Sequence, residues 1–192
     1  MALVFDIETI GEDFDTLDGI TQETLTRWIK KEADTQEEYE KSLADLKNGL
    51  GFSPLTGQIV AIGVYDTEKD KGAVYFESQD KKNTDFEEGN MKFRVLKEDE
   101  MLRQFWNLAE KYDEFVSFNG RAFDVPFLMV RSAIHNIRPT KNLMANRYLS
   151  SQPKNAKHVD LLDQFTFYGS VRRKGNLHLW SRAFGIESPK AG

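Results

Sequence analysis

Apolar and polar positions alternate along this chain in two rhythms, one with a period of two and one with a period near 3.6. The opening run ALVFDIETI is short, apolar and β-branched, with acids at alternate places, and it reads as a buried strand. Residues 21 to 48 are rich in Glu, Lys, Leu and Ala and contain neither Pro nor Gly, a composition that predicts one or two helices. Leu25, Trp28, Ile29, Leu43 and Leu46 fall there at helical spacing, so the segment is expected to pack by one face. After the turn SPLTGQ, the runs IVAIGVY and GAVYFES are separated by the polar DTEKDK and predict adjacent antiparallel strands. With the first strand they would form an antiparallel meander.

A helix is predicted from Glu98 to Tyr112, then a strand EFVSFN, a turn at Asn119-Gly120, and a helix beginning near Asp124 with Pro126 in its first turn. KHVDLLDQF reads as extended, RRKG as a basic turn and NLHLWSRAFGI as a helix. The order β-β-β followed by α-β-α implies an α/β fold with a central mixed β-sheet flanked by α-helices. A length of 192 residues favours one domain over two.

Composition narrows the function classes. Hydrophobic residues make up 40% of the chain and charged residues 30%, too apolar for a disordered chain and too charged for a membrane protein. No apolar run approaches the roughly 20 residues that span a bilayer, and the start carries acids where a signal peptide would be basic, so a cytoplasmic location is expected. Zero cysteines exclude disulfides, thiolate zinc sites and a Cys nucleophile, leaving hard oxygen ligands. The three histidines are too far apart for a helical zinc site, and no phosphate-cradling GxxxxGK[ST], no GxGxxG opening a helix and no GxSxG elbow is present.

The net charge of -5 conceals an asymmetry: the first 50 residues hold 13 acidic and 5 basic residues, whereas 131 to 174 hold 9 basic and 2 acidic. That distribution is compatible with a phosphate-tracking surface beside a carboxylate site, and equally with a charged solvated face.

Asp-x-Glu alone is a weak signal, and this chain has two further copies at Asp66-Glu68 and Asp85-Glu87. Asp6 and Glu8 differ by their setting, because alternate strand residues share a face and both carboxylates would project side by side from an apolar strand. Adjacent, partly desolvated anions call for a counterion, and an oxygen-only donor set suits magnesium or manganese. In FNGRAFDVPFL the strand ends, Asn119-Gly120 turns the chain and Asp124 opens a helix, where an N-cap role is the plain alternative.

FDIET and FNGRAFDVPFL, in this order, resemble the first and second motifs of the DEDD 3'-5' exonuclease superfamily, and VAIGVY, HVDLLD and LHLWSRAFGI resemble the branch related to proofreading domains of family B DNA polymerases. The resemblance covers the chain apart from a helical insertion at 11–55, and it implies a ribonuclease H-like fold with parallel strands beside the meander. It implies that Asp6, Glu8 and Asp124 hold two Mg2+ or Mn2+ ions, and that Thr9, Asn119, Phe123 and Phe127 line the pocket for the 3' end of single-stranded nucleic acid, DNA before RNA. The expected activity is phosphodiester hydrolysis by a two-metal mechanism, and the alternative is a catalytically silent nucleic-acid-binding module of the same fold.

The resemblance also implies a fourth Asp on a further helix after LHLWSRAFGI, expected beyond Gly192, without which the 192-residue chain would be weak or inactive. His158 and Asp163 match the His-x4-Asp spacing of one subfamily's third motif. They precede the last helix, on an apparent strand, and Asp160 and Asp163 are read instead as orienting structure near the groove.

Overall fold

A computed structural model describes residues 1–80 and 82–187. Among the described residues seven strands form one mixed sheet, with parallel and antiparallel neighbours. The long strands β1 (Ala2–Gly11) and β2 (Gly57–Asp66) pair antiparallel, and β3 (Lys71–Phe76) follows antiparallel on β2, which is the meander expected from the sequence. On the other side of β1, β6 (Glu114–Ser117) and then β7 (Lys157–Asp160) run parallel to it.

Alternation sets the core. Leu3, Phe5 and Ile7 of β1 and Ile59, Ile62 and Val64 of β2 face inward, beneath α4 (Glu98–Ala109) and α5 (Asp124–Ile134). Helix α4 contributes Met101, Leu102, Phe105, Trp106 and Ala109, one helical stripe, and α5 contributes Val125, Phe127 and Leu128. Trp106 is buried with its indole N–H donated to Ser132 Oγ at 2.8 Å, so the largest core side chain leaves no polar atom unsatisfied.

Three regions differ from the sequence reading. Residues 21 to 48 form three helices, α1 (Gly19–Thr26), α2 (Ile29–Glu32) and α3 (Gln36–Gly49). The chain breaks at extended Ala33 because Thr35 and Glu38 form a reciprocal capping box that starts α3 afresh. KHVDLLDQF is only half extended: β7 stops at Asp160, whose carboxylate accepts from Leu162 N at 3.0 Å and caps α6 (Leu161–Phe165). A hairpin of β4 (Phe86–Glu88) and β5 (Met91–Val95) extends the sheet beyond β3, held by a Phe86–Phe93 ring stack at 4.4 Å. Its brevity and charge hid it from any periodicity argument. The last described helix, α7 (Leu177–Ala183), lies where a helix was expected. Among the described residues no helix is long and apolar enough to cross a membrane.

One buried charge locks both helices to the sheet. Glu98, at the start of α4, accepts from the Ile59 N–H of β2 at 2.7 Å, from Arg131 Nε and Nη2 of α5 at 2.8 and 2.6 Å, and lies 2.7 Å from His135 Nε2. Burial pushes its pKa up, but Arg131, the Ile59 amide and His135 together outweigh burial and hold it below the ordinary value. Removing one partner of a buried pair strands the other, so Glu98→Ala is expected to lose about 3–5 kcal/mol of stability. Chemical denaturation checks this, and a loss below about 1 kcal/mol, the range of surface pairs, would contradict it.

Candidate active site

The parallel pairing of β1 with β6 runs only from Ala2–Glu114 to Val4–Val116, while β1 continues to Gly11. Beyond Val4 the outer edge of β1 therefore has no strand beside it. The Ile7 N–H on that edge is taken by Asp124 Oδ1 at 3.0 Å, a contact between residues 117 apart in sequence. The capping role left open by the sequence is thus not the main use of this side chain.

What brings Asp124 there is the turn after β6. Asn119 adopts φ 65° and a Cβ at Gly120 would lie 2.2 Å from Ser117 Oγ, so only glycine fits the second place. Asp160 fixes the turn from the neighbouring strand, accepting Asn119 N at 2.8 Å and Arg121 N at 3.0 Å while it caps α6. The buried carboxylate of Asp160 is therefore a positioning group, as the sequence reading of a structural role implied.

Asp6 and Glu8 share the face of β1 opposite Leu3, Phe5 and Ile7, and both are exposed. The expectation that these two are desolvated is corrected: the buried acid is Asp124, 3% exposed, at a helix start. Burial, and then the Asp6 carboxylate standing against it, push the Asp124 pKa up to about 7.

Asp6, Glu8, Asn119, Phe123 and Asp124 line one groove of about 580 Å³, closed on its far side by Leu161, Leu162 and the approach to α7 at Gly175–Leu177. The other two expected residues are placed elsewhere. Thr9 follows a register shift between Glu8 and Thr9, and its hydroxyl donates to Gly51 O at 2.7 Å. Phe127 is 1% exposed in the core, under Phe123 at a ring separation of 5.4 Å. Gly175, the last residue of the basic RRKG turn, adopts φ 68° and brings 175–177 to the groove, a contact that no sequence pattern announced.

Asp6 and Asp124, two acids that repel, present oxygen ligands of the kind that fit a divalent cation, while most of the groove around them is apolar. Yet among the described residues no three acidic or histidine side chains gather as a ligand cluster, and the groove holds no carboxylate besides Asp6, Glu8 and Asp124. The fit is that of a pair, Asp6 and Asp124, with Glu8 on the same face.

His158 lies buried on β7. Its Nδ1 is 3.2 Å from the Leu143 carbonyl, which can only accept, so Nε2 accepts from Ser117 Oγ at 2.7 Å. Burial depresses its pKa from 6.5 to about 4. Asp163 instead forms a two-pronged pair with Arg147 at 3.0 and 2.5 Å. Neither His158 nor Asp163 lines the groove that holds Asp6 and Asp124.

Residues 54–189 match the model of a family described as a predicted 3'-5' exonuclease related to the exonuclease domain of PolB. The match takes in Asp124 and begins after Asp6 and Glu8. Among solved structures the chain is similar to the family B DNA polymerase of the hyperthermophilic archaeon Pyrobaculum calidifontis, with 15% identity, a TM-score of 0.50 and 97% of this chain covered. The chain spans 18% of the length of that polymerase. No curated protein matches it. The likeness in structure, with the mixed seven-stranded sheet, shows the ribonuclease H-like α/β fold.

The two buried groups give opposed pH dependences in chelator. His158, with a folded pKa of about 4 against 6.5, leaves the unfolded chain binding more protons, so stability falls as pH drops through that interval. Asp124, about 7 against 3.8, does the reverse, and stability falls as pH rises. Denaturant unfolding between pH 4 and 6.5 is expected to show a nearly flat wild type, a His158→Asn variant that weakens as pH rises, and an Asp124→Asn variant that strengthens, each by up to about 3 kcal/mol. Identical slopes in all three would remove both assignments.

Proposed function

Because the chain belongs to the family of predicted 3'-5' exonucleases related to the exonuclease domain of PolB, we propose that its groove hydrolyses the terminal phosphodiester at the 3' end of single-stranded nucleic acid, DNA in preference to RNA. The observation that carries this is the meeting of Asp6 with the buried Asp124 at the mouth of a groove wide enough for a nucleotide.

In this reading Asp6 and Asp124 hold Mg2+ or Mn2+, and Glu8, exposed on the same strand face, completes the site for two ions. Divalent ions supply an acidified water and charge neutralisation on the scissile phosphate. The chain's own part is placement. The Ile7 amide fixes one Asp124 oxygen and leaves the other free to face Asp6. Asn119 offers an amide to the terminal sugar or base, and Phe123 offers a ring face. Beyond Asn119 and Leu162 the groove adjoins a cavity of about 280 Å³ lined by Arg121, Arg147 and Lys174 together with Asp160 and Asp163; Arg147 is engaged by Asp163, and Arg121 and Lys174 are the cations suited to the phosphates of the preceding nucleotides.

The second reading, a silent binding module, is favoured by the absence of a three-ligand cluster among the described residues. The readings separate on one assay. A labelled single-stranded oligonucleotide with Mg2+ or Mn2+ is expected to shorten from its 3' end, and Asp6→Ala or Asp124→Ala to lower the rate by roughly 100-fold or more. Salt-sensitive binding without shortening, indifferent to Asp6→Ala, selects the silent module.

Metal binding has its own readout. Mn2+ at 100 times its dissociation constant is expected to add about 2.7 kcal/mol of stability, and Asp124→Asn to abolish the gain. A Tm unmoved by millimolar Mn2+ argues against the ion site.

A further inference from the structure

The strands of the meander bury only one of their two faces. Val64, Ala73 and Tyr75 pack into the core beneath α4, and the positions between them alternate to the other side of the sheet. The register carries that second set across four partners: Asp6 pairs with Gly63, Gly63 with Val74, Val74 with Phe93 and Phe93 with Phe86. The row beside it runs through Glu8, Ala61, Phe76 and Val95.

These positions read as an interior that nothing covers. Ala61, Val74, Phe76, Phe93 and Val95 are half-buried, Phe86 is 48% exposed, and none of the six belongs to the core under α4 and α5. The α-helices packed on β2 and β3 are α4 and α5, both on the opposite face. A contiguous apolar face of this kind, spread over several neighbouring strands, marks a surface that takes a partner.

Charge says what kind of partner. The basic residues of β1 to β5 are Lys71, Lys92 and Arg94, and their pairing with Asp66, Ala73 and Tyr75 puts all three on the side of α4. Lys92 and Arg94 are moreover engaged there, by Glu87 and Asp85. The open face carries only acids. Asp6 and Glu8 stand along one side of it and Glu88, opposite Met91, along the other. At its two ends lie Asp70, whose carboxylate accepts from Tyr65 Oη, and Glu77, which accepts from Gln58 Nε2 at 3.3 Å. An apolar surface ringed by carboxylates repels the phosphates of a nucleic acid and repels a second copy presenting the same face. A cationic apolar segment is what it complements. The other face of the same strands is covered by the apolar stripe of a helix, and a helix is the element that completes such a layer.

We propose that the open face of β2, β3, β5 and β4 docks an amphipathic helix of a partner protein, one that carries Lys or Arg beside its apolar stripe. The inference does not rest on the exonuclease reading, because no step of it uses the chemistry of the groove. It places the partner alongside Asp6 and Glu8, on the side of the sheet away from Arg121 and Lys174.

The test uses the full chain, isotopically labelled, and as probe a synthetic helical peptide of leucine and lysine at amphipathic spacing. A second peptide carries glutamate in place of every lysine. The lysine peptide is expected to bind, to lose affinity as salt is raised, and to shift the amide resonances of β3, β4 and β5. The glutamate peptide is expected to bind at least about tenfold more weakly. Val74→Lys and Phe86→Lys are expected to weaken the lysine peptide about tenfold or more, and Glu87→Gln, which makes the same change in net charge on the other face of β4, to alter it less than about twofold. Phe86 lies at the exposed edge, so its variant keeps the test open should Val74→Lys fail to fold. Equal binding by Phe86→Lys and wild type, or shifts centred on α4 or on the groove, overturns the proposal. So does sedimentation showing a wild-type dimer that Phe86→Lys dissolves, since the occupant is then a second copy.

Discussion

A single hydrogen bond, from the amide of Ile7 to the buried carboxylate of Asp124, joins the strand that carries the acids to the helix that completes the site. It exists because β6 ends early. Had the parallel ladder continued past Val4, a backbone carbonyl would have taken that amide and Asp124 would have no buried partner. A side chain thus substitutes for a strand, and the substitution places an anion where the sheet opens onto the groove. The apolar surroundings that fix its position also make its charge unfavourable, and Asp6 beside it makes matters worse. The buried acid is thus held in place by the same surroundings that oppose its charge.

The rest of the architecture holds that contact in register. Glu98 fastens α4 and α5 to β2, so the axis of α5 is fixed from its far end. Asp160 fastens the turn that precedes α5 by accepting two of its amides, and the same carboxylate starts α6, whose first residues wall the groove. His158, kept neutral by burial, bridges Ser117 of β6 to the Leu143 carbonyl in the segment between α5 and β7. These polar groups sit inside the fold and each has its partners, so they restrict geometry without leaving uncompensated charge.

Much of this was legible in the sequence because period-two alternation is hard to disguise. Leu3, Phe5 and Ile7 against Asp6 and Glu8 fixed the faces of the first strand, and the apolar stripe from Met101 to Ala109 fixed a helix. Asn119-Gly120 announced the turn that delivers Asp124. Less legible was everything that depends on where one strand stops relative to another. That β6 ends at Ser117 decides which acid is buried, and composition carries no trace of it. Thr9 and Phe127 adjoin the motifs in sequence, yet a register shift diverts one hydroxyl and core packing claims the other ring.

The contact among Gly11, Gly51 and Gly57 is made by main chain on main chain. Such a junction does not read the side chains that flank it. Its demand falls on the backbone alone: a methyl group at Gly11 or Gly51 would force the strand end and the 3-10 turn at Leu50–Phe52 apart. Such a shift would be felt at Thr9, whose hydroxyl joins the same turn and which stands next to Glu8 on the acidic strand.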